Sequence, residues 1–591
     1  MRKLTEREIA ILEEQGCWAE NWECIEVDDV EFRTDAVKNV RFYGNVSIGS
    51  LAGSIEVEEG FTRCCGVRNA TLRNVSLADG CLVENVMGYI SNYDIADGVL
   101  ISNVGIISTQ GTPQFGNGTV ASVLNEGGDG NVVIYDRLTA QTAHLMMDNE
   151  CVRRMVLAEL EERPRRERGT IGRGSRIVGT REISNVVVGD ACEIQGASRL
   201  SDCTIRSCDE APTLIGSDVI MENTVVSVGA TVADGAKLSN SFVGESTHVG
   251  KGFSSESSLF FANGHFDNGE ACAAFCGPFA CSHHKSTLLI GGQFSFYNAG
   301  SGTNQSNHAY KMGPIHYGVL QRGSKTASGS HILWPATIGS FSMVMGKLTE
   351  HPNLTKLPFS YVMATGEKTY IVPGVNIRTV GTWRDVNKWP KRDLRPRATR
   401  SDLINFAFPN PYIIQHVIEG RRLLEDILAA QTAEEYEYEG CIISHRAVVN
   451  GIRYYDLAIN LFLYQVLNSN HETPGETGVD RWLDVSGMLA PEKEIERILA
   501  DINSGAIATT DELLLVLQQV NADYPSNVWD YAQNLMQQLS GSLIVNLDQW
   551  LGKAEEAHEQ WLRMVRNDAE HEFQLGDVDE DHLRNFLETI K

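Results

Sequence analysis

Between residues 77 and 107 an aliphatic or aromatic side chain stands at every sixth position: Leu77, Val83, Tyr89, Ile95, Ile101 and Ile107. A helix repeats at 3.6 and a half-buried strand at 2, so neither predicts a strict six. The spacing returns at Ile171, Ile177 and Ile183, at Ile215 and Met221, at Val226, Val232 and Leu238, and at Val243 and Val249. Between these runs the pattern slips by one or a few residues, as short turn insertions would cause. A longer period overlies it. Val83-Glu84-Asn85 recurs eighteen residues on as Ile101-Ser102-Asn103, and the phrase returns as Ile183-Ser184-Asn185, Met221-Glu222-Asn223 and Leu238-Ser239-Asn240. Three six-residue sides make a triangular coil, with one strand and one inward aliphatic per side. Asn and Gly suit the corners because both tolerate left-handed backbone angles. Coils stack at about 4.8 Å, the spacing of paired strands, and no single coil encloses a core, so many must stack. The predicted fold is a mainly β solenoid.

Phrases such as Ile171-Gly172-Arg173-Gly174-Ser175, Val188-Gly189-Asp190-Ala191 and Val249-Gly250-Lys251-Gly252 give this chain a resemblance to the hexapeptide-repeat superfamily. That resemblance implies a left-handed parallel β-helix, whereas general crossover rules favour the opposite hand. Residues 40–400 also resemble a large bacterial family of uncharacterised hexapeptide-repeat proteins. Its marks here are Asp136-Arg137-Leu138-Thr139-Ala140-Gln141, Gly277-Pro278-Phe279, His283-His284-Lys285-Ser286, Ser306-Asn307-His308 and the segment from Pro358 to Gly366.

A chain of 591 residues exceeds what one compact core usually holds. Residues 1–36 read as an N-terminal cap, and 37–400 as the left-handed β-helix. A helical insertion at about 111–168 has Leu138, Leu145, Met146, Val152, Met155, Val156 and Leu160 on its apolar face. It is expected to cover the side of the coil or a neighbouring protomer. Residues 401–591 read as an acidic α-helical region. Within 431–591 there are 29 acidic and 10 basic residues, so −19 of the net −27 charge lies there. Such an acidic chain lacks the Lys/Arg surface that holds nucleic acid. No apolar run reaches the roughly 18–20 residues of a membrane span. The charged start lacks a signal peptide's apolar centre, so the expected location is cytoplasmic. None of the 13 cysteines forms a Cys-x-x-Cys pair, and Cys272, Cys276 and Cys281 read as small buried thiols rather than metal ligands.

Residues 254–318 differ from the rest. Five of the fifteen histidines (265, 283, 284, 308 and 316) fall there, and imidazole is the usual general base near neutral pH. The order His283-His284-Lys285, Leu288-Leu289-Ile290-Gly291, Ala299-Gly300-Ser301-Gly302-Thr303 and Asn307-His308-Ala309-Tyr310-Lys311 resembles the acetyltransferase half of bifunctional N-acetylglucosamine-1-phosphate uridylyltransferases. The Gly-rich nucleotide-binding opening of the other half is missing. The resemblance implies transfer of an acyl group from acyl-CoA, as co-substrate, to a sugar or nucleotide sugar. His284 would be the base, with His283 the alternate. His265, Asn304, Asn307 and His308 would hold the acceptor, and Lys311 a phosphate or the CoA tail. Lys285 is assigned to the cofactor. Arg378, Arg384 and Lys388 begin a run of eight bases within residues 378–400. That run reads either as a pyrophosphate site or as a docking surface for the acidic region. No metal is expected, because the five-residue His spacing of γ-class carbonic anhydrases is not found. Relatives of this superfamily imply a homotrimer. The rival to an enzyme is a non-catalytic binding or scaffold protein on the same solenoid.

Overall fold

One column of inward side chains runs through most of the molecule. It passes from Val27 to Ile48, Leu77 and Ile95, crosses directly to Ile171, and continues through Val226, Val243 and Phe260 to Leu320 and Ile338. Every pairing along it is parallel. The protein is therefore a parallel β-solenoid, seen in a computed structural model that describes residues 1–28, 32–124, 130–306, 317–469, 481–542, 544–576 and 579–590. Strands Trp18–Ala19 and Ile25–Val27 already pair in parallel with Val37–Ile48, so the ladder begins inside the N-terminal segment. Among the described residues no helix is long and apolar enough to cross a membrane.

The eighteen-residue coil holds in the first block, where Val83 pairs with Ile101 and Leu77 with Ile95. In the second block Met221 pairs with Leu238, and Val226 with Val243, a repeat of seventeen. The missing residue is at one corner, since Leu238 to Val243 spans five positions while Val226–Val232 and Val232–Leu238 span six. The corner asparagines take the expected left-handed angles: φ is 53° at Asn85, 55° at Asn103, 49° at Asn223 and 46° at Asn240. Their amides also bond along the stack. Asn69 donates to Asn85 at 2.9 Å, Asn85 to Asn103 at 3.2 Å, and Asn223 to Asn240 at 3.1 Å. Asn85→Ala loses both the ladder and the tolerance of positive φ, and should lower stability by about 1–2 kcal/mol. Asn85→Gly keeps the backbone freedom and should cost less. Urea unfolding of the two variants checks the order.

After residue 250 the aliphatic period fades because the core fillers change. Phe253, Phe260, Phe266, Phe294, Tyr297 and Trp334 take inward space, balanced by Ala271, Ala274, Ala280 and Cys276. Large and small residues alternate between coils, which keeps the volume filled while erasing the aliphatic pattern.

The insertion leaves the solenoid after Ser108 and returns at Gly169. It carries a small hairpin, Val120–Ser122 with Asn131–Val133, and helices Ala140–Asp148 and Glu150–Glu162. It covers the side of its own coil. The outward residues Val225, Phe242, Leu259 and Phe275 stack in register and are buried in a second core. Val132, Met146 and Val156 of the insertion join that core, as do Ile498 and Leu513 of the C-terminal helices.

The last coil is closed by strand Lys368–Val372, antiparallel to Tyr361–Thr365. Strand Cys441–Ser444 adds to that edge; the C-terminal region, expected to be helical, also holds strand Glu435–Tyr438 beside it and the hairpin Trp482–Val485 with Met488–Pro491. Helices Pro411–Ala430, His445–Leu467 and Leu547–Leu575 pack over it. Gly420 makes the close approach possible, since a Cβ there would stand 1.9 Å from the Lys356 carbonyl oxygen.

Candidate functional site

A chain segment that leaves the end of the solenoid runs back along its side. Helix Val380–Lys388 and the stretch to Arg400 form this strap. Trp389 anchors it by packing edge-on against Phe296, ring centroids 4.8 Å apart. Asn263, at a coil corner, donates to Asp393 at 2.9 Å and accepts from the Leu394 backbone at 2.9 Å. Arg395 is 4% exposed and donates to Asp393, to Glu245 of the solenoid and to the Asp402 carbonyl oxygen. The basic run thus docks in part on solenoid carboxylates, through Arg395. Asp402 lies beside Glu245 and accepts from the backbone of Ala140 and Ala262. Burial, then the Glu245 charge, pushes its carboxyl up to about 7.

Strap and solenoid enclose a cleft of about 650 Å³. Its floor is a column of outward positions in register across successive coils: His248, His265, Cys281, Asn298 and Lys325. Each directly precedes an inward residue, so side-chain alternation sends it outward. From the strap come Asp385, Lys388, Trp389 and Arg392. A second, more open cleft of about 450 Å³, beside Arg206 and Arg400, contains no imidazole.

Asp267 is almost fully buried. It accepts from His248 Nε2 at 3.2 Å, His265 Nε2 at 3.1 Å and Lys251 Nζ at 2.7 Å. Burial alone would raise its pKa, but the bonds from Lys251 and His265 outweigh it and hold the carboxyl below its usual value. The His248 pKa is lowered too, chiefly by burial and then by the His265 ring. His283 Nδ1 lies 2.8 Å from Cys281 Sγ. Burial first, then the neighbouring His284 and His265, lowers its pKa, so the ring is neutral at neutral pH. Burial pushes the Cys281 thiol up to about 11 despite nearby Lys388 and Arg392. Asp385 pairs with both Lys325 and Lys388.

Of the residues singled out in the sequence, His265, His283 and Lys388 meet in this cleft. His284 and Lys285 are exposed in the turn between strands Cys281–Ser282 and Leu288–Ile290, and neither lines the cleft. His284 therefore does not open a strand into the Gly-rich turn. Asn304 begins a strand on another side of the coil, between Leu288 and His331. Arg384 belongs to the strap helix and Arg378 to the turn just before it, and neither lines the cleft. Asn307, His308 and Lys311 lie outside the described residues. Sequence reasoning missed His248, Lys251, Asp267, Lys325 and Asp385. Aligning the coils at seventeen would have placed His248 on His265, because both stand one residue before an inward side chain.

Fold and cleft together define a parallel β-solenoid whose histidine- and lysine-rich side site is roofed by its own chain. Residues 1–428 match the family described as "Domain of unknown function (DUF4954)", and the chain belongs to that family. Residues 464–577 match "Domain of unknown function (DUF6819)". A protein of Treponema pallidum (strain Nichols) named "Uncharacterized protein" is 23% identical over 577 residues, spanning 85% of this chain and 77% of that one. The whole cleft falls inside the 1–428 match.

Proposed function

We propose that the cleft transfers an acyl group from acyl-CoA to a hydroxyl or amine of a sugar or nucleotide sugar. The supporting observation is its charge: four cations (Lys251, Lys325, Lys388 and Arg392) against two carboxylates (Asp267 and Asp385), around the imidazoles of His248, His265 and His283. The surplus suits the phosphates of CoA or a nucleotide sugar, and Arg392 forms no ion pair among the described residues. His283 is the base in this reading, displacing His284. With Nδ1–H given to the Cys281 sulfur, Nε2 keeps the lone pair that takes the acceptor's proton. The thioester carbon–sulfur bond then breaks, the acyl group goes to the acceptor oxygen or nitrogen, and CoA leaves as thiol.

Thermal-shift screening with acetyl-CoA, CoA and nucleotide sugars is the first test, and stabilisation by at least one is expected. Once an acceptor is found, His283→Ala should cut turnover by roughly 10²–10⁴-fold while leaving Tm nearly unchanged. Full activity in that variant, or no shift with any of these ligands, would overturn the proposal in favour of a non-catalytic protein. The strap supplies the second wall from the same chain, so activity should not require the homotrimer expected of such relatives; light scattering alongside the assay checks this.

A further inference from the structure

Among the described residues, the cluster of ligating side chains on the solenoid is formed by stacking rather than by local sequence. The strands His248–Gly250 and His265–Asp267 pair in parallel, with His248 opposite His265 and Gly250 opposite Asp267. The two imidazole rings are 4.7 Å apart between centroids. His265 and Asp267 are two residues apart on one strand, so both leave the same face while Phe266 enters the core. Gly250 provides the space in which they meet. A Cβ on it would lie 2.8 Å from His248 Nε2 and 3.0 Å from Asp267 Oδ1. Any other residue would fill the niche that the imidazole and the carboxylate share.

We infer that His248, His265 and Asp267 bind a divalent first-row transition metal ion, with Zn²⁺ as the best fit. The three ligand atoms lie within 4.8 Å of one another, and each Nε2 is 3.1–3.2 Å from a carboxylate oxygen. A tetrahedral Zn²⁺ with bonds of about 2.0–2.1 Å sets its ligand atoms roughly 3.3 Å apart. The donors therefore stand close to the required separation. Two imidazoles and one carboxylate match the ligand classes that hold Zn²⁺ with a fourth position open. Here that position faces the cleft, since His248 and His265 both line it. Lys251 contacts the same carboxylate at 2.7 Å and so competes with the ion for its negative charge. This inference stands independently of acyl transfer. The earlier expectation of no metal came from a missing local His spacing, and here the spacing is one whole coil.

Zn²⁺ titration by calorimetry, on the full reduced chain after chelator treatment, tests it. One ion per chain is expected to bind. His248→Gln and Asp267→Asn should each weaken binding by at least about 100-fold. Lys251→Met should tighten it, which a purely structural Lys–Asp pair would not do. Cys281→Ser and His283→Ala should bind as the parent does. If Asp267→Asn does not fold, His248→Gln decides, because that ring is partly exposed and its loss removes a ligand with little core. Absence of stoichiometric binding, unchanged binding in His248→Gln, or loss of binding in Cys281→Ser would each overturn the assignment.

Discussion

Arg395→Ala should lower the stability of this protein by about 3–5 kcal/mol, the range for removing one partner of a buried ion pair. The guanidinium is nearly inaccessible, and it donates from Nε and Nη2 to both oxygens of Asp393, at 2.8 and 3.0 Å. It also reaches Glu245 at 3.1 Å and the Asp402 carbonyl oxygen at 2.7 Å. Without it, Asp393, Glu245 and Asp402 become a buried group of acids whose only remaining paired cation among the described residues is Arg400, 3.5 Å from Asp393. Arg395→Lys should recover only part of the loss, since one ammonium cannot serve three partners in fixed directions. The pH dependence has a definite sign. The Asp402 carboxyl already has a raised folded pKa of about 7, so the folded state takes up a proton more readily than the unfolded chain. Removing Arg395 strengthens that preference. The deficit should be largest above neutral pH and shrink as pH falls toward the ordinary carboxylate range near about 4. Thermal unfolding of parent and variant at several pH values measures this. A deficit that grows on acidification would show that the buried acids do not govern the effect. Because Arg395 ties the strap to the solenoid, the variant should also lose any ligand-induced shift in the cleft.

Trp334→Ala should cost about 3–5 kcal/mol, the usual range for truncating a buried aromatic. Trp334 is fully buried, and its Nε1 donates to the Ile290 carbonyl oxygen at 2.6 Å. Truncation leaves both a large void and an unpaired carbonyl. Trp334→Phe fills most of the void but not the bond, and should cost about 1–3 kcal/mol. The ring stands on Gly318, where a Cβ would be 2.0 Å from it. Gly318→Ala should therefore destabilise the parent by forcing the ring to move. In the Trp334→Ala background the ring clash is gone and the Ala336 carbonyl oxygen, 2.6 Å from that Cβ, still opposes the methyl, so the change should cost less but not become neutral. Strict additivity of the two changes in a double-mutant cycle would show that the ring does not rest on that glycine.

Where local spacing carries the information, the sequence was readable. The six-residue interval from Leu77 to Ile107 marks sides of a coil, because each inward aliphatic must recur once per side; Tyr89 is the exception, exposed while Ile90 takes the inward place. Asn85, Asn103, Asn223 and Asn240 mark corners, because Asn accepts positive φ more readily than most side chains; other corners, such as those at Ala191, Ser246 and Phe279, carry no such mark. The seventeen-residue coil was harder to see. A corner shortened by one residue changes the vertical register without changing the appearance of either neighbouring side. The coils after residue 250 were obscured once Phe and Ala began to share the core volume.

The cleft divides in the same way. His283 stood out as part of a histidine cluster, and Lys388 as part of a basic run. His248 and Asp267 had no local mark, for each is an ordinary outward residue on its own strand. By itself the sequence determined a stacked β coil with asparagine corners, an inserted helical segment and an acidic helical half, because those follow from patterns within tens of residues. Only the tertiary structure decided which outward residues stack into one column, which basic residues dock the strap and which face the cleft. Those choices depend on coil register and on the return of residues 380–400 along the solenoid, and both are set by packing between parts of the chain more than a hundred residues apart, such as Arg395 with Glu245.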